Sequence, residues 1–378
     1  MAQAGTGLIE VPSGLEGVIA FDTAIAEPDK AGSALRYRGV DIEDLVGAVP
    51  FEKVWGLLVD GTYEPGLPPA EPHALSVRTR DPRVDLQSAL AMLAPEWGLH
   101  QLIDVSDEEA RADLARVSVM ALSFVAQSAR VGCPPVPQRE IDRASSIPER
   151  FLIRWRGEAD PSHIKAIDAY WISAAEHGMN ASTFTARVVA STGADVAACL
   201  SAAVGALSGP LHGGAPSRVL QMLDAVERSG DPEGLVKSTL DRGDRLMGFG
   251  HRVYRAEDPR ARVLRRTARE IGAPRLEVAE ALEKAALEEL HARKPDRVLA
   301  TNVEFWSAVV LDFADVPPEL FTPLFSCARV AGWAAHILEQ KREGRLIRPT
   351  ARYVGPGPRA ATAVAAGADG ASPRAAGG

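Results

Sequence analysis

The stretch "EEARADLARVSVMALSFVAQSAR", Glu108 to Arg130, decides the fold class. Its apolar residues recur at three- and four-residue intervals through Leu114, Val117, Ala121, Phe124 and Val125, which is the spacing of one helix face. It carries neither proline nor glycine to interrupt that face. The same period returns in "DLQSALAMLA" (85–94), "HIKAIDAYWISAAEH" (163–177) and "EVAEALEKAALEELHARK" (277–294). Between the helical stretches, "YEPGLPPAEP" (63–72) and "CPPVPQ" (133–138) are loops by their prolines. Strand signals are confined to the start. "GVIAFDTAI" (17–25) and "SALRYRGVDI" (33–42) are short and apolar, with the turn-like "EPDKAG" (27–32) between them, so a small N-terminal sheet or hairpin is expected. The reading is mainly α, in two domains, with a small β element first.

Composition narrows the function classes. A chain of 378 residues exceeds what one hydrophobic core usually supports. Apolar residues at 46% and charged residues at 24% are ordinary for a soluble globular protein. A net charge of -8 disfavours general nucleic-acid binding. The most apolar region, Val188 to Leu211, is broken by Asp195 and glycines, so no membrane span is expected. The opening "MAQAGTGLIEVPSG" lacks a basic segment followed by an apolar one, and a cytoplasmic location is expected. Cys133, Cys199 and Cys327 are far apart and read as free thiols. From about Gly355 the chain becomes an Ala/Gly/Pro-rich segment, expected to be disordered.

Three of the eight histidines sit among glycines: His177 in "EHGMN", His212 in "GPLHGGA" and His251 in "GFGHRVY". Glycine tolerates positive φ and lets a ligand approach the backbone, so each is a candidate site residue; each could also be an ordinary cap or turn histidine. His73, His100, His163 and His291 fit loops and helix ends, and His336 fits a packed, hydrogen-bonded core position. No histidine pair has metal-ligand spacing, and the glycines match neither the dinucleotide nor the phosphate-loop pattern, so no metal is expected.

Arginines gather near these histidines. Between Asp241 and Glu270 there are nine arginines against five acidic residues. The run from Arg262 to Arg269 reads most simply as a solvated helix face. Arg260 differs, because it follows a rigid Asp-Pro next to the His251 segment. "CARVAGWAAHILEQ" (327–340) reads as a helix beginning after Pro323, with Arg329, Trp333, His336 and Gln340 on one face. An arginine on so apolar a helix needs an anion to meet. Arg348 precedes a proline in "RLIRPTARYVGP". Guanidinium forks bind carboxylate or phosphate in bidentate fashion, so dicarboxylates are natural ligands.

In order, "LRYRGVDIEDL", "EHGMNAST", "GALSGPLHGGA", "GFGHRVYRAEDPR", "NVEFW", "ARVAGWAAHILEQ" and "IRPTARYVGP" resemble the citrate synthase family over roughly residues 15–355. The resemblance implies an almost wholly helical enzyme of two domains that close over the substrates. The large domain would comprise 1–213 and 316–355, with a small domain at 214–315 inserted between them and a disordered tail at 356–378. It implies a homodimer in which the partner chain completes each active site. The implied reaction condenses acetyl-CoA with oxaloacetate and hydrolyses the thioester to citrate and CoA. CoA would be a cosubstrate, and no cofactor would be bound permanently.

Residue by residue, the resemblance gives His212 the enolate-stabilising donor, Glu304 the base, and His251 the group that polarises the ketone. His177 would hold oxaloacetate, with Asn180 and Ser182 supporting it and the neighbouring glycine leaving room for substrate. Arg260, Arg329 and the partner's Arg348 would clamp carboxylates, and Arg255 would meet the CoA phosphates. One departure stands out: the family's base is usually aspartate, and glutamate reaches one methylene further. The alternatives are a 2-methylcitrate synthase using propionyl-CoA and a silent CoA- or dicarboxylate-binding homologue.

Overall fold

The computed structural model describes residues 9–29, 34–210, 212, 216–250, 257–297 and 299–361. Residues to Leu346 form one compact unit, and Ile347 onward form a second. In the first unit, α1 (Ile42–Leu45), α2 (Phe51–Asp60), α3 (Pro82–Trp97), α4 (Asp107–Ala129), α5 (Gln138–Ile141), α6 (Ile147–Arg156) and α7 (Pro161–Ala174) follow the N-terminal sheet. They are succeeded by α8 (Ala181–Ser191), α9 (Val196–Leu207), α10 (Pro216–Ser229), α11 (Pro232–Asp241), α12 (Pro259–Glu270), α13 (Leu276–Arg293), α14 (Val303–Phe313) and α15 (Phe321–Glu343). The mainly helical fold expected from the sequence is what forms.

The helix starts obey local chemistry. Ser106 caps α4 by accepting from the Glu109 N–H (3.1 Å), and Asp107, Glu108 and Glu109 put negative charge at the positive end of its dipole. Asn180 caps α8, Asp258 caps α12 and Asn302 caps α14, each through a side-chain oxygen. The last helix, α15, begins at Phe321 rather than after Pro323, because a proline in the first turn loses no intrahelical bond. It is buried on every side from Ser326 to Leu338, among α2, α4, α7, α8 and α9, so it is the central post of the unit.

The N-terminal element is a three-stranded antiparallel sheet, β1 (Ala26–Asp29), β2 (Ala34–Tyr37) and β3 (Val40–Asp41), in that order. Ala26 pairs with Tyr37, and Tyr37 with Val40. Arg38 and Gly39 turn between the last two strands with positive φ at both, as a two-residue hairpin requires. The first strand is displaced from its expected position at 17–25 to 26–29. Residues 17–24 join no ladder, and the Ile25 carbonyl accepts from the Arg38 N–H (2.9 Å). The Ala24 N–H donates to Glu339 Oε1 (3.1 Å), and the Arg187 guanidinium lies 4.3 Å from the centre of the Phe21 ring. No helix among the described residues is long and apolar enough to cross a membrane.

Candidate active site

On one side of the site, α8 begins where α7 has just ended. The Asn180 side chain accepts from the Thr183 N–H (3.1 Å) and donates to the Gly178 carbonyl (3.2 Å). That leaves Ser182, fully buried, to bridge three groups. Its hydroxyl lies 2.9 Å from Asn180 Oδ1, it accepts from Trp333 Nε1 (3.2 Å), and it lies 3.0 Å from His212 Nε2. Burial, and then the nearby Arg329 charge, push the His212 pKa down to about 4 from an ordinary value of 6.5. The imidazole is therefore neutral at pH 7. Ser182 thus serves His212, not His177 as the sequence suggested.

On the other side, α12 and α14 meet at their N-termini. Asp258 is the joint between them: fully buried, it accepts from the Arg260 N–H (3.0 Å) and the Val303 N–H (3.1 Å). It also pairs in bidentate fashion with the Arg260 guanidinium at 3.0 and 2.8 Å. A short antiparallel bridge joins Phe249 to Thr301, with the Gly250 N–H donating to the Ala300 carbonyl (2.7 Å). Gly248 is required there, since its φ is +89° and a Cβ would come within 2.8 Å of the Phe305 Cβ. The segments "GFG" and "NVEFW" are therefore stitched together. Gly250 and Asp258 are both tied to the start of α14, the first by its carbonyl accepting from Asn302 Nδ2 (2.9 Å) and the second by its carboxylate accepting from the Val303 N–H.

Glu304 follows in the first turn of α14. Its carboxylate end is buried, and Oε2 has no hydrogen-bond partner. Burial raises its pKa, the Arg260 charge opposes that rise, and Asp258 adds to it. A desolvated carboxylate of this kind is a stronger base than one in water. Arg329 is its counterpart. Only 1% exposed, it donates through Nε to the Ala174 carbonyl (2.8 Å) and lies 4.8 Å from the centre of the Phe325 ring, while Nη1 has no partner. Burial raises the pKa of the Tyr170 hydroxyl; the Arg329 and Arg260 charges oppose that rise and Glu304 adds to it. A neutral imidazole, an unpaired guanidinium nitrogen and an unpaired carboxylate oxygen can together take a proton from carbon beside a bound carboxylate.

His177 is half-buried just after the chain leaves α7. The glycine beside it has another use than making room for substrate: Gly178 has φ +64°, and a Cβ there would meet Pro28 Cγ at 3.2 Å. His251 and Arg255 lie outside the described residues. Arg348 is exposed in the second unit. The run Arg262–Arg269 is a solvated face only at its end, where Arg269 is exposed. Arg262 pairs with Glu43 and Glu257, and Arg265 with Glu257 (3.0 Å) and Glu283 (3.2 Å). Glu283 in turn accepts from Trp306 Nε1 (3.0 Å).

Sequence reasoning missed Asp258, Ser182 as the partner of His212, and Tyr37. The Tyr37 hydroxyl donates to the Ile172 carbonyl (2.9 Å) and accepts from the Glu176 N–H (3.2 Å), fixing the turn that precedes His177. Tyr37 lay within a recognised motif, and Asp258 within the Asp-Pro singled out beside Arg260. Among the described residues, no group of three or more His, Cys, Asp or Glu side chains gathers as a metal site would.

The family profile "Citrate synthase, C-terminal domain" matches residues 14–350. Fold, donor set and profile together define an acyltransferase. The chain belongs to the citrate synthase family. It is 67% identical to the Mycobacterium tuberculosis protein named "Putative citrate synthase 2", over 93% of this chain and 95% of that one. It is 34% identical to the 2-methylcitrate synthase of Shewanella oneidensis, over 92% and 96% of the two chains. A Thermoplasma acidophilum citrate synthase, solved as a ternary complex with carboxymethyl coenzyme A and oxaloacetate, superimposes with a TM-score of 0.76. It is 28% identical and covers 93% of this chain and 98% of its own.

Proposed function

We propose that the protein is a citrate synthase, condensing acetyl-CoA with oxaloacetate and hydrolysing the citryl thioester to citrate and CoA. The observation that carries this reading is the pairing of unfinished groups. Arg329 Nη1 and Glu304 Oε2 are buried and unpartnered, and the Arg329 charge acts on His212, which burial keeps neutral. Oxaloacetate supplies the carboxylate that Arg329 lacks. Arg260, whose Nε and Nη2 hold Asp258, adds its positive charge, the partner's Arg348 takes the remaining carboxylate, and His177 holds the same substrate.

The methyl group of a thioester is a weak acid, so the base works only if the enolate oxygen is stabilised as the proton leaves. Glu304 removes that proton. His212 meets the thioester oxygen through Nδ1, the ring nitrogen left over when Nε2 faces Ser182. The Ser182 hydroxyl donates to Asn180 Oδ1, so it must turn that proton to His212 Nε2 for Nδ1 to carry the proton that meets the enolate. The enolate carbon then attacks the ketone carbon, whose oxygen His251 polarises and protonates. Water hydrolyses the thioester. Arg255 binds CoA phosphate, the region 214–315 closes over both substrates, and two chains form the working dimer.

The 34% identical 2-methylcitrate synthase supports a second reading, in which propionyl-CoA is the preferred acyl donor. One methylene in an acyl pocket discriminates by only about 1 to 3 kcal/mol, so family membership does not choose between them. The test is kcat/KM for acetyl-CoA against propionyl-CoA, followed by release of free thiol. A ratio above ten for acetyl-CoA is the expected result, and a preference for propionyl-CoA selects the second reading. No thiol release with either donor, while oxaloacetate still binds, would leave a silent dicarboxylate-binding homologue.

A further inference from the structure

The residue before His177 is a buried glutamate that the reaction above does not use. Glu176 is fully buried, and neither carboxylate oxygen accepts a hydrogen bond. A carboxylate in that setting persists as an ion only if a nearby positive charge balances it. The backbone shows how it is placed. The Ala174 carbonyl accepts from Arg329 Nε (2.8 Å), the Ala175 carbonyl accepts from the Gly332 N–H (3.1 Å), and Glu176 Oε1 lies 3.4 Å from His336 Nε2. Three consecutive residues are thus laid along successive turns of α15. Gly332 is what makes room, because a Cβ there would lie 2.0 Å from Glu176 Oε2.

His336 is engaged on its other side by Arg187. Arg187 Nη1 is 3.2 Å from His336 Nδ1, and a guanidinium can only donate, so Nδ1 carries a lone pair and the ring proton is on Nε2, towards Glu176. A second ring proton would have to face Arg187. The other group at His336, Glu339 Oε2 at 3.9 Å, already pairs with Arg187 at 2.6 Å, and Glu343 takes that arginine's Nη2 at 2.9 Å. What remains is Glu176 and Arg329. Burial pulls the Arg329 pKa down, and among the charges around it Glu176 is the foremost one pushing it back up. The two nevertheless form no direct hydrogen bond, and Arg329 Nη1 stays unpartnered.

We propose that Glu176 is a built-in counter-anion for Arg329. It offsets the cost of the buried guanidinium charge before substrate arrives, and it limits oxaloacetate affinity because the incoming carboxylate must share a charge that is already balanced. This rests on the reading of Arg329 as a carboxylate ligand. Glu176 does not touch substrate; it is a positioning residue that acts through Arg329. Contact without touching is the design: a direct salt bridge would use up the fork, and an arginine with no counter-charge would destabilise the free protein.

The test measures oxaloacetate binding to the full chain by calorimetry and by the melting-temperature shift it produces. Wild type must bind oxaloacetate; if it does not, the reading of Arg329 falls and not this inference alone. Given wild-type binding, Glu176→Gln should lower the melting temperature of the free protein yet tighten oxaloacetate binding roughly tenfold, while Glu176→Asp, which keeps the charge, stays near wild type. A role in packing alone predicts weaker binding for both variants. Unchanged or weaker binding by Glu176→Gln overturns the proposal. If that variant does not fold, the double variant Glu176→Gln/Arg329→Gln decides: it must melt above either single variant, and a double variant no better than the singles also overturns it.

Discussion

His212 and Glu304 are both half-buried residues whose titratable groups are desolvated, but they are held differently. The hydrogen-bonded partner of His212 is a hydroxyl, Ser182, itself tied to Asn180 and Trp333. Glu304 sits one residue beyond Val303, whose N–H is anchored by the Asp258 carboxylate, and Asp258 is locked to Arg260. One side of the site is set by neutral donors and acceptors, the other by formal charge. Losing a neutral partner leaves a modest unsatisfied group, whereas losing one member of a buried ion pair strands the other charge. The acid side should therefore tolerate change better than the base side, and the following experiments probe that asymmetry.

The largest effect is expected at Glu304, the proposed base. Glu304→Gln is nearly isosteric and removes the proton acceptor, so kcat should fall by about 1,000-fold or more. The oxaloacetate-induced rise in melting temperature should survive, because Arg329 is untouched. Thiol-release assays and thermal melts check both halves; a variant with ordinary turnover removes Glu304 from the chemistry.

Next comes the joint. Asp258→Asn keeps the shape but leaves the Arg260 guanidinium, 4% exposed, without its carboxylate. Destabilisation of about 3 to 5 kcal/mol is expected from urea unfolding. A loss below about 1 kcal/mol would mean that charge is not what holds the base side together.

These two residues also show what the sequence made legible. Glu304 could be found because "NVEFW" resembles a motif, and the helical frame because apolar period and caps are local properties. Asp258 was visible as a residue but not as a joint, because its partners Val303 and Arg260 meet only when α12 and α14 pack. The arginines after it looked solvated for the same reason: Glu43 and Glu283, which pair with Arg262 and Arg265, come from distant sequence. The first strand moved because pairing register is a long-range choice, and short apolar stretches fit side-chain docking as well as a ladder. Local rules located the residues, and packing assigned their partners.

On the acid side, Ser182→Ala leaves His212 Nε2 and the buried Trp333 Nε1 without their shared oxygen. A stability loss of about 1 to 2 kcal/mol and a kcat lower by about tenfold are expected, both smaller than at Asp258 and Glu304. Equal or larger losses than in Asp258→Asn would reverse the asymmetry.

The smallest effect is on pH dependence. The His212 pKa is about 4 in the folded protein against an ordinary 6.5, so between those values the unfolded chain binds a proton that the native one refuses. Stability from this group is fully present above pH 6.5 and is lost as pH falls toward 4, by at most about 1 kcal/mol per unit and less where solvent screens it. Asp168 acts in the opposite sense. Burial raises its pKa to about 7, so over part of the same range its native form takes up the proton first and gains stability on acidification. The wild-type slope mixes the two, and only a difference isolates His212. Unfolding free energies of wild type and His212→Asn at pH 7 and pH 5 should therefore converge at the lower pH, because only wild type has a refused proton to lose. Parallel curves would mean that the His212 imidazole is not buried neutral, and the contrast between the two sides of the site would lose its acid half.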